Sequence, residues 1–306
     1  MKSDSDITNK LQEKYESIDQ DLDVHLEGLL HSKPISYWDY IQTDVLLNLQ
    51  KPRTDFPDEM VFIMYHQISE LLFKMILSEI EQVAENDFGV TVFTEKVMRV
   101  SRYFDVLTSS FSIMKDGMNI EQYNQFRTTL TPASGFQSAQ YRLVEFGSTE
   151  LINLIDKRFR DTVSKDICCE SAFEQLYWQA AGKDYETGKK TYTLSAFEER
   201  YKEQFIRFSK KYEGKNLWSK YKELPEDSRA NKALIKAMRH YDYTVNVKWV
   251  MAHYTTANHY LNIGGETAEA TGGSEWVKYM HPKYQKRIFF PDLWTTKEKE
   301  DWGIDI

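Results

Sequence analysis

Apolar residues recur at three- and four-residue steps along much of the chain, a spacing that predicts helices. The longest such stretch runs from Asp58 to Ile80, with no proline or glycine inside it and Pro57 and Asp58 where a helix start belongs. On that helix Phe62, His66 and Ser69 fall at i, i+4 and i+7, and so share one side. An imidazole among Phe, Ile and Met must be hydrogen-bonded or face a cavity, because a bare buried polar group is costly. His66 therefore reads either as a satisfied core histidine or as a base or ligand at a pocket wall.

The same periodicity places further helices. Residues 1–30 read as one amphipathic helix with a stripe of Ile7, Leu11, Tyr15, Ile18, Leu22 and Leu29. After Pro34, the residues Tyr37, Tyr40 and Ile41 share a helical face, a pattern that usually means core. Helices are expected over 92–116, 120–131 and from Phe136 to about Asp156, with Pro132 ending the second. Tyr123 and Arg127 form an i, i+4 pair. Ala133-Ser134-Gly135 is a turn, and Gln137, Ser138 and Gln140 follow near the start of a helix beside Arg127. That grouping suits an anion or a carboxylate, with a surface ion pair as the plainer reading of Arg127. Residues 157–240 are densely charged and read as a helical insert, with helices near 170–181, 194–213 and 229–247. Val247, Trp249, Val250, His253, Ala257 and Tyr260 outline a further helix, on which His259 points to the other side. Thr271-Gly272-Gly273-Ser274 is a turn whose amides and hydroxyls suit closure over a ligand. Only residues 89–93 and 190–194 resemble strands. The expected fold is all-α, a helical bundle with a ligand site in its core. The expected division is an N-terminal packing helix over residues 1–34 and a main domain over residues 35–306.

Composition narrows the setting. The chain has 306 residues, 28% of them charged and 41% apolar, and a net charge of −8. That charge argues against a nucleic-acid backbone as the main partner. Aromatic residues make up 14%, which suits a dense core, an aromatic pocket or subunit interfaces. The two cysteines, Cys168 and Cys169, are adjacent, which gives neither a disulfide framework nor a zinc spacing. The N-terminus lacks a signal-peptide pattern, and no continuous apolar run reaches membrane-spanning length. A cytoplasmic protein with no membrane partner is the expectation.

Three stretches carry a resemblance. Asp58 to Leu71, reading DEMVFIMYHQISEL, resembles the distal-helix motif of the haem enzyme family of tryptophan 2,3-dioxygenases. Phe126-Arg127 followed by Pro132 to Arg142, PASGFQSAQYR, resembles that family's second signature, and Trp249 to His253 with Thr271 to Ser274 resembles its third. The order is the family's order. The resemblance implies an all-helical protein binding haem b in its core, active with ferrous iron and assembled as a homotetramer, a dimer of dimers. It makes His253 the proximal iron ligand and sets Ser134 and Trp249 against the haem. L-tryptophan would lie with its indole N–H near His66 as the catalytic residue and its ring on Phe62. Arg127 would take the carboxylate with Tyr123 close by, a bidentate task suited to arginine. Thr271 would hold the ammonium and carboxylate. Tyr37, Tyr40 and Ile41 would reach the pocket of a neighbouring subunit. The implied reaction inserts O2 across the indole 2,3 bond to give N-formyl-L-kynurenine.

The chain departs from the family pattern in three places. No basic residue flanks His253 in Trp249-Val250-Met251-Ala252-His253-Tyr254. The segment from His253 to Thr271 is longer than usual, and Glu275-Trp276 follows Gly272-Gly273-Ser274 where a serine is usual. Two other readings stand beside the first: a related haem oxygenase acting on a substituted tryptophan, another indole or a tyrosine derivative, and a non-catalytic haem or amino-acid binding protein. His259 is the alternative iron ligand.

Overall fold

The computed structural model describes residues 4–164, 166–263, 266–267 and 281–304. It divides the chain into two units, residues 1–50 and 51–306.

The first unit holds α1 (Asp4–Glu16), α2 (Leu22–His31) and α3 (Tyr37–Ile41). The single helix expected over residues 1–30 is thus two. The break has a local cause. Asp19 takes a left-handed conformation at φ 54°, which short polar side chains tolerate best after glycine. The Asp21 carboxylate then accepts the Asp23 N–H at 2.8 Å and caps α2. On α3, Tyr37 and Tyr40 are 72% and 75% exposed and Ile41 is exposed too, so this face is not the core its aromatic pattern suggested.

The second unit is built on α4 (Pro57–Glu85), with Pro57 in its first turn. The buried Glu59 carboxylate accepts the Arg53 N–H at 2.9 Å and the Thr54 N–H at 2.8 Å, which fastens the approach to the helix. Then come α5 (Val90–Ser109), α6 (Phe111–Gly117), α7 (Ile120–Phe126) and α8 (Ala139–Ser148). The chain continues through α9 (Tyr192–Tyr212), α10 (Leu217–Glu223), α11 (Lys232–Tyr243) and α12 (Trp249–Leu261). Helix α4 packs on α5 and α8, and α5 packs on α11. One π-helical turn, Thr244–Lys248, joins α11 to α12. Ile76 and Ile80 of α4, Val97 and Phe104 of α5, and Val144 of α8 meet in the buried core. The charged stretch 157–240 contributes Phe173, Leu176, Trp178, Phe197 and Phe205 to that same core.

Both strand expectations fail. Val90 begins α5 behind Gly89. Lys190 makes one isolated bridge to Lys183, and Thr191 then caps α9 by accepting the Leu194 N–H. Short β-branched runs look alike in a strand and in a first helical turn. Among the described residues the strands are Asn262–Ile263 and Glu266–Thr267, paired antiparallel. The chain is all-α in class.

One 18-residue window of α4 is apolar enough on average to cross a membrane, although no continuous apolar run is. It carries Glu59, Glu70 and Glu79, and one side of it packs against α5 and α8.

Candidate functional site: a cavity between two histidines

His66 and His253 line one cavity, between α4 and α12. Tyr65 and Phe111 join the two rings. The Tyr65 ring stands edge-on to His66 at 5.5 Å and lies 5.7 Å from Phe111, whose ring stacks on His253 at 5.5 Å and 16°.

The protonation of His66 follows from geometry. Its Nδ1 lies 2.8 Å from the Phe62 carbonyl oxygen. A carbonyl only accepts, so Nδ1 carries the proton and donates. Desolvation by the surrounding protein lowers the pKa, against the opposing pulls of the Phe62 carbonyl and the Glu70 carboxylate, which favours the neutral ring. In a neutral ring protonated at Nδ1, Nε2 is an acceptor. The ring is exposed by surface area, and it lines the cavity. Phe62 packs on it at 4.2 Å between ring centroids.

His253 is the more perturbed of the two. Burial first, and then the neighbouring His66, push its pKa down to about 4. It is a neutral imidazole at physiological pH, and no hydrogen bond to it forms among the described residues. Trp249, one helical turn earlier, lines the same cavity and lies 6.2 Å from it, wedged against Tyr141 at 4.7 Å and Phe73 at 6.0 Å. His259 is exposed and borders a separate open groove.

Phe62 also meets Phe126 at 5.7 Å and Tyr123 at 6.1 Å. The Tyr123 hydroxyl is hydrogen-bonded to Arg127, as the i, i+4 spacing suggests, and burial raises its pKa. Phe62, His66, Tyr123 and Arg127 therefore form one continuous group. Ser134 is half-buried beside the cavity-lining Gly135, and it shares a capping box with Gln137, whose side-chain oxygen accepts the Ser134 N–H at 3.0 Å.

The polar corner expected after Arg127 is already filled. The Ser138 hydroxyl donates to Glu70 at 2.6 Å and accepts the Tyr141 N–H, while Gln140 donates to the other Glu70 oxygen at 2.8 Å. Glu70 lies four residues after His66 on the same face, which is the signal that was there to be read. Thr271 lies outside the described residues. Tyr37, Tyr40 and Ile41 belong to the N-terminal unit, where they are exposed.

Part of the cavity wall had no counterpart in the sequence reading. Arg142 of α8 and Arg287 line it, with Tyr141 and Tyr177. The Glu145 carboxylate accepts from Arg142 at 2.8 Å and forms an ion pair with Arg287 at 2.8 Å. Arg142 and Glu145 sit at i and i+3, a readable spacing; Arg287 lies in the last turn-rich stretch of the chain and announces nothing.

A neutral imidazole without a hydrogen-bond partner among the described residues, facing a mostly aromatic cavity, is a donor suited to haem iron. His253 with Trp249 fits that group. Buried arginine and tyrosine donors on the wall also suit a macrocycle that carries carboxylates.

The family model for tryptophan 2,3-dioxygenase matches residues 27–257. Among curated relatives, the tryptophan 2,3-dioxygenase of a Ruegeria species is 43% identical over 114 residues, 37% of this chain and 40% of that protein. That of a Bradyrhizobium species is 30% identical over 267 residues, 85% of this chain and 91% of the relative. That of Pseudomonas fluorescens is 25% identical over 290 residues, 89% and 94% of the two chains. The strongest matches thus span less than half of those relatives, and the weaker ones span nearly all. With that model matching residues 27–257 and a relative aligned over nearly its whole length, the chain belongs to the tryptophan 2,3-dioxygenase family.

Proposed function

We propose that the protein is a haem-dependent dioxygenase that inserts O2 across the indole 2,3 bond of L-tryptophan to give N-formyl-L-kynurenine. The observation that carries this reading is the His66 tautomer. Its Nδ1 proton is committed to the Phe62 carbonyl, so a neutral Nε2 acceptor is offered to the cavity that His253 shares. An indole N–H is a donor without an acceptor of its own, and Nε2 is its complement.

His253 would hold the iron from one side, with Trp249 fixing its helix face and Ser134 at the haem edge. When bound, ferrous haem supplies O2 activation and the electron transfers. The chain's residues bind and orient. Phe62 packs on the indole ring. Arg127, held by Tyr123, takes the α-carboxylate, and Thr271 closes on the amino-acid head. His66 accepts the indole N–H and so holds the 2,3 bond in one place throughout the turnover. Orientation of this kind supplies much of an enzyme's rate. Tyr37, Tyr40 and Ile41, exposed on α3, would complete the pocket of a neighbouring subunit in a homotetramer. A soluble, cytoplasmic enzyme is part of the same reading.

The test is turnover. Protein expressed with added haem is reduced anaerobically and given L-tryptophan and O2, and N-formylkynurenine is followed by absorbance and mass. Product formation supports the reading. A haem spectrum without product redirects the search to substituted tryptophans, other indoles and tyrosine derivatives, as the altered Gly272-Gly273-Ser274-Glu275-Trp276 stretch would suggest. Absence of haem sinks the enzyme reading.

A further inference from the structure

Two buried arginines remain without a task in the proposed reaction. Arg142 is 5% exposed and Arg287 7%, and both line the cavity that holds His66 and His253. They share one carboxylate in direct contact. Arg142 Nη1 lies 2.8 Å from Glu145 Oε2, and Arg287 Nη1 lies 2.8 Å from Glu145 Oε1. The Tyr177 hydroxyl accepts from Arg142 at 2.6 Å and from Arg287 as well, and donates to Glu145. Arg287 Nη2 donates to the Tyr141 hydroxyl at 2.7 Å. Both guanidinium groups also lie over the Tyr141 and Tyr177 rings.

The network is incomplete on the side of the donors. Arg142 Nε is buried and has no hydrogen-bond partner. The Tyr141 hydroxyl accepts from Arg287, and its own proton meets no acceptor among the described residues. The next carboxylate, Asp242, lies one layer behind. It accepts the Phe289 and Phe290 N–H groups, the Trp294 indole N–H and the Asn246 amide, and Asn246 in turn accepts from Arg287 Nε. Glu70, the other acid on the cavity wall, is taken by Ser138 and Gln140. Two buried guanidinium groups on the single Glu145 carboxylate leave one positive charge uncompensated, and an arriving carboxylate would balance it.

Helix α12, from Trp249 to Leu261, contains no lysine or arginine, so the His253 helix offers the cavity no cation. Among the described lining residues the cations are Arg142 and Arg287. We infer that Arg142 and Arg287, with the Tyr141 hydroxyl, form the site that anchors a carboxylate of the haem. The inference rests on the haem reading above and assigns the propionate edge of the cofactor to this wall. Arg127 is left for the substrate carboxylate.

The test separates this site from the haem reading itself. Holoenzyme and its Arg142→Gln and Arg287→Gln variants are mixed with an excess of haem-free globin, and haem loss is followed in the Soret band. Wild-type protein is also reconstituted with haem whose two propionates are methyl esters. The site predicts that each variant, and the wild type carrying the diester, lose cofactor on the order of ten- to hundredfold faster than wild type with haem. Either variant with the diester should lose it little faster than with haem, because the shared contact is already gone. If a variant fails to fold by circular dichroism, the wild-type comparison of haem with diester decides. Equal loss of haem and diester from the wild type overturns the site while leaving the haem reading intact. So does an unchanged haem loss with a raised KM for tryptophan in the variants, which would hand the pair to the substrate. A wild type that shows no Soret band removes the haem reading, and this site with it.

Discussion

At His66 the hydrogen bond from Nδ1 to the Phe62 carbonyl settles which nitrogen can accept, and a pKa lowered by desolvation favours the neutral ring. The pH consequence has a definite sign. A histidine with the ordinary value of 6.5 is half protonated at that pH and loses its acceptor below it. With its pKa lowered, His66 keeps Nε2 unprotonated there, so acid must go further before substrate binding suffers. Steady-state KM for L-tryptophan should hold constant from about pH 8 down past 6.5; a rise in KM centred at 6.5 would show an ordinary, solvated histidine. Arg127 makes a second prediction. Replacing it by leucine removes a charge-assisted contact and should raise KM about ten- to hundredfold, roughly 1.4–2.7 kcal/mol, with haem content unchanged. Tyr123→Phe keeps the ring packing against Phe62 and Tyr260 and should cost only about 1 kcal/mol. An Arg127→Leu enzyme with wild-type KM would end the carboxylate-clamp assignment.

At the scale of elements, the seam between α4 and α8 sets how close the cavity walls stand. Gly147 is the reason α8 approaches so closely: a Cβ there would stand 2.7 Å from Ile80 Cγ2, inside a core where Ile80 is fully buried. Gly147→Ala should lower stability by about 1–3 kcal/mol, read as a fall in the thermal midpoint, and Ile80→Val in the same chain should recover part of it. A midpoint unmoved by Gly147→Ala would mean that the seam has slack. Periodicity made α4 and α12 legible, and with them the shared face of Phe62, His66 and Ser69, because both helices obey one helical repeat over many residues. It did not reveal the break between α1 and α2, which turns on one left-handed residue, Asp19. Nor did it reveal Arg287, whose role depends on the chain returning from far away in sequence to meet Arg142 and Glu145. The charged 157–240 stretch concealed its contribution for a similar reason. Phe173, Trp178 and Phe205 are spaced among lysines and acids, and only the folded contacts show them in the core. The polar corner read as suiting an anion or a carboxylate holds one from the chain itself, and the pairing of Ser138 and Gln140 with Glu70 spans about seventy residues of sequence, beyond the reach of local spacing.

At the scale of the whole molecule, α4 has two apolar faces with different tasks. Phe62, His66, Ser69 and Phe73 point one way, and His66, Ser69 and Phe73 line the cavity. Met64, Ile68, Leu71 and Met75 recur at steps of four, three and four residues on the opposite side, and all four are exposed. A contiguous apolar stripe of this kind on a core helix is expensive to leave in water and is a natural contact for another subunit. The tetramer proposed above gives it a partner. Ile68→Lys together with Leu71→Lys should therefore shift the protein to a smaller species in light scattering after size exclusion, with haem content retained, since neither residue lines the cavity. Elution at the wild-type mass would show that the assembly uses some other surface. The same variant also bears on Tyr37, Tyr40 and Ile41. If a neighbour's α3 completes each pocket, dilution to the smaller species must raise KM for L-tryptophan, and Tyr37→Ala with Tyr40→Ala in the intact assembly must raise it as well. A dissociated enzyme with wild-type KM would instead mean that each subunit closes its own pocket, and that the exposed tyrosines of α3 serve assembly alone.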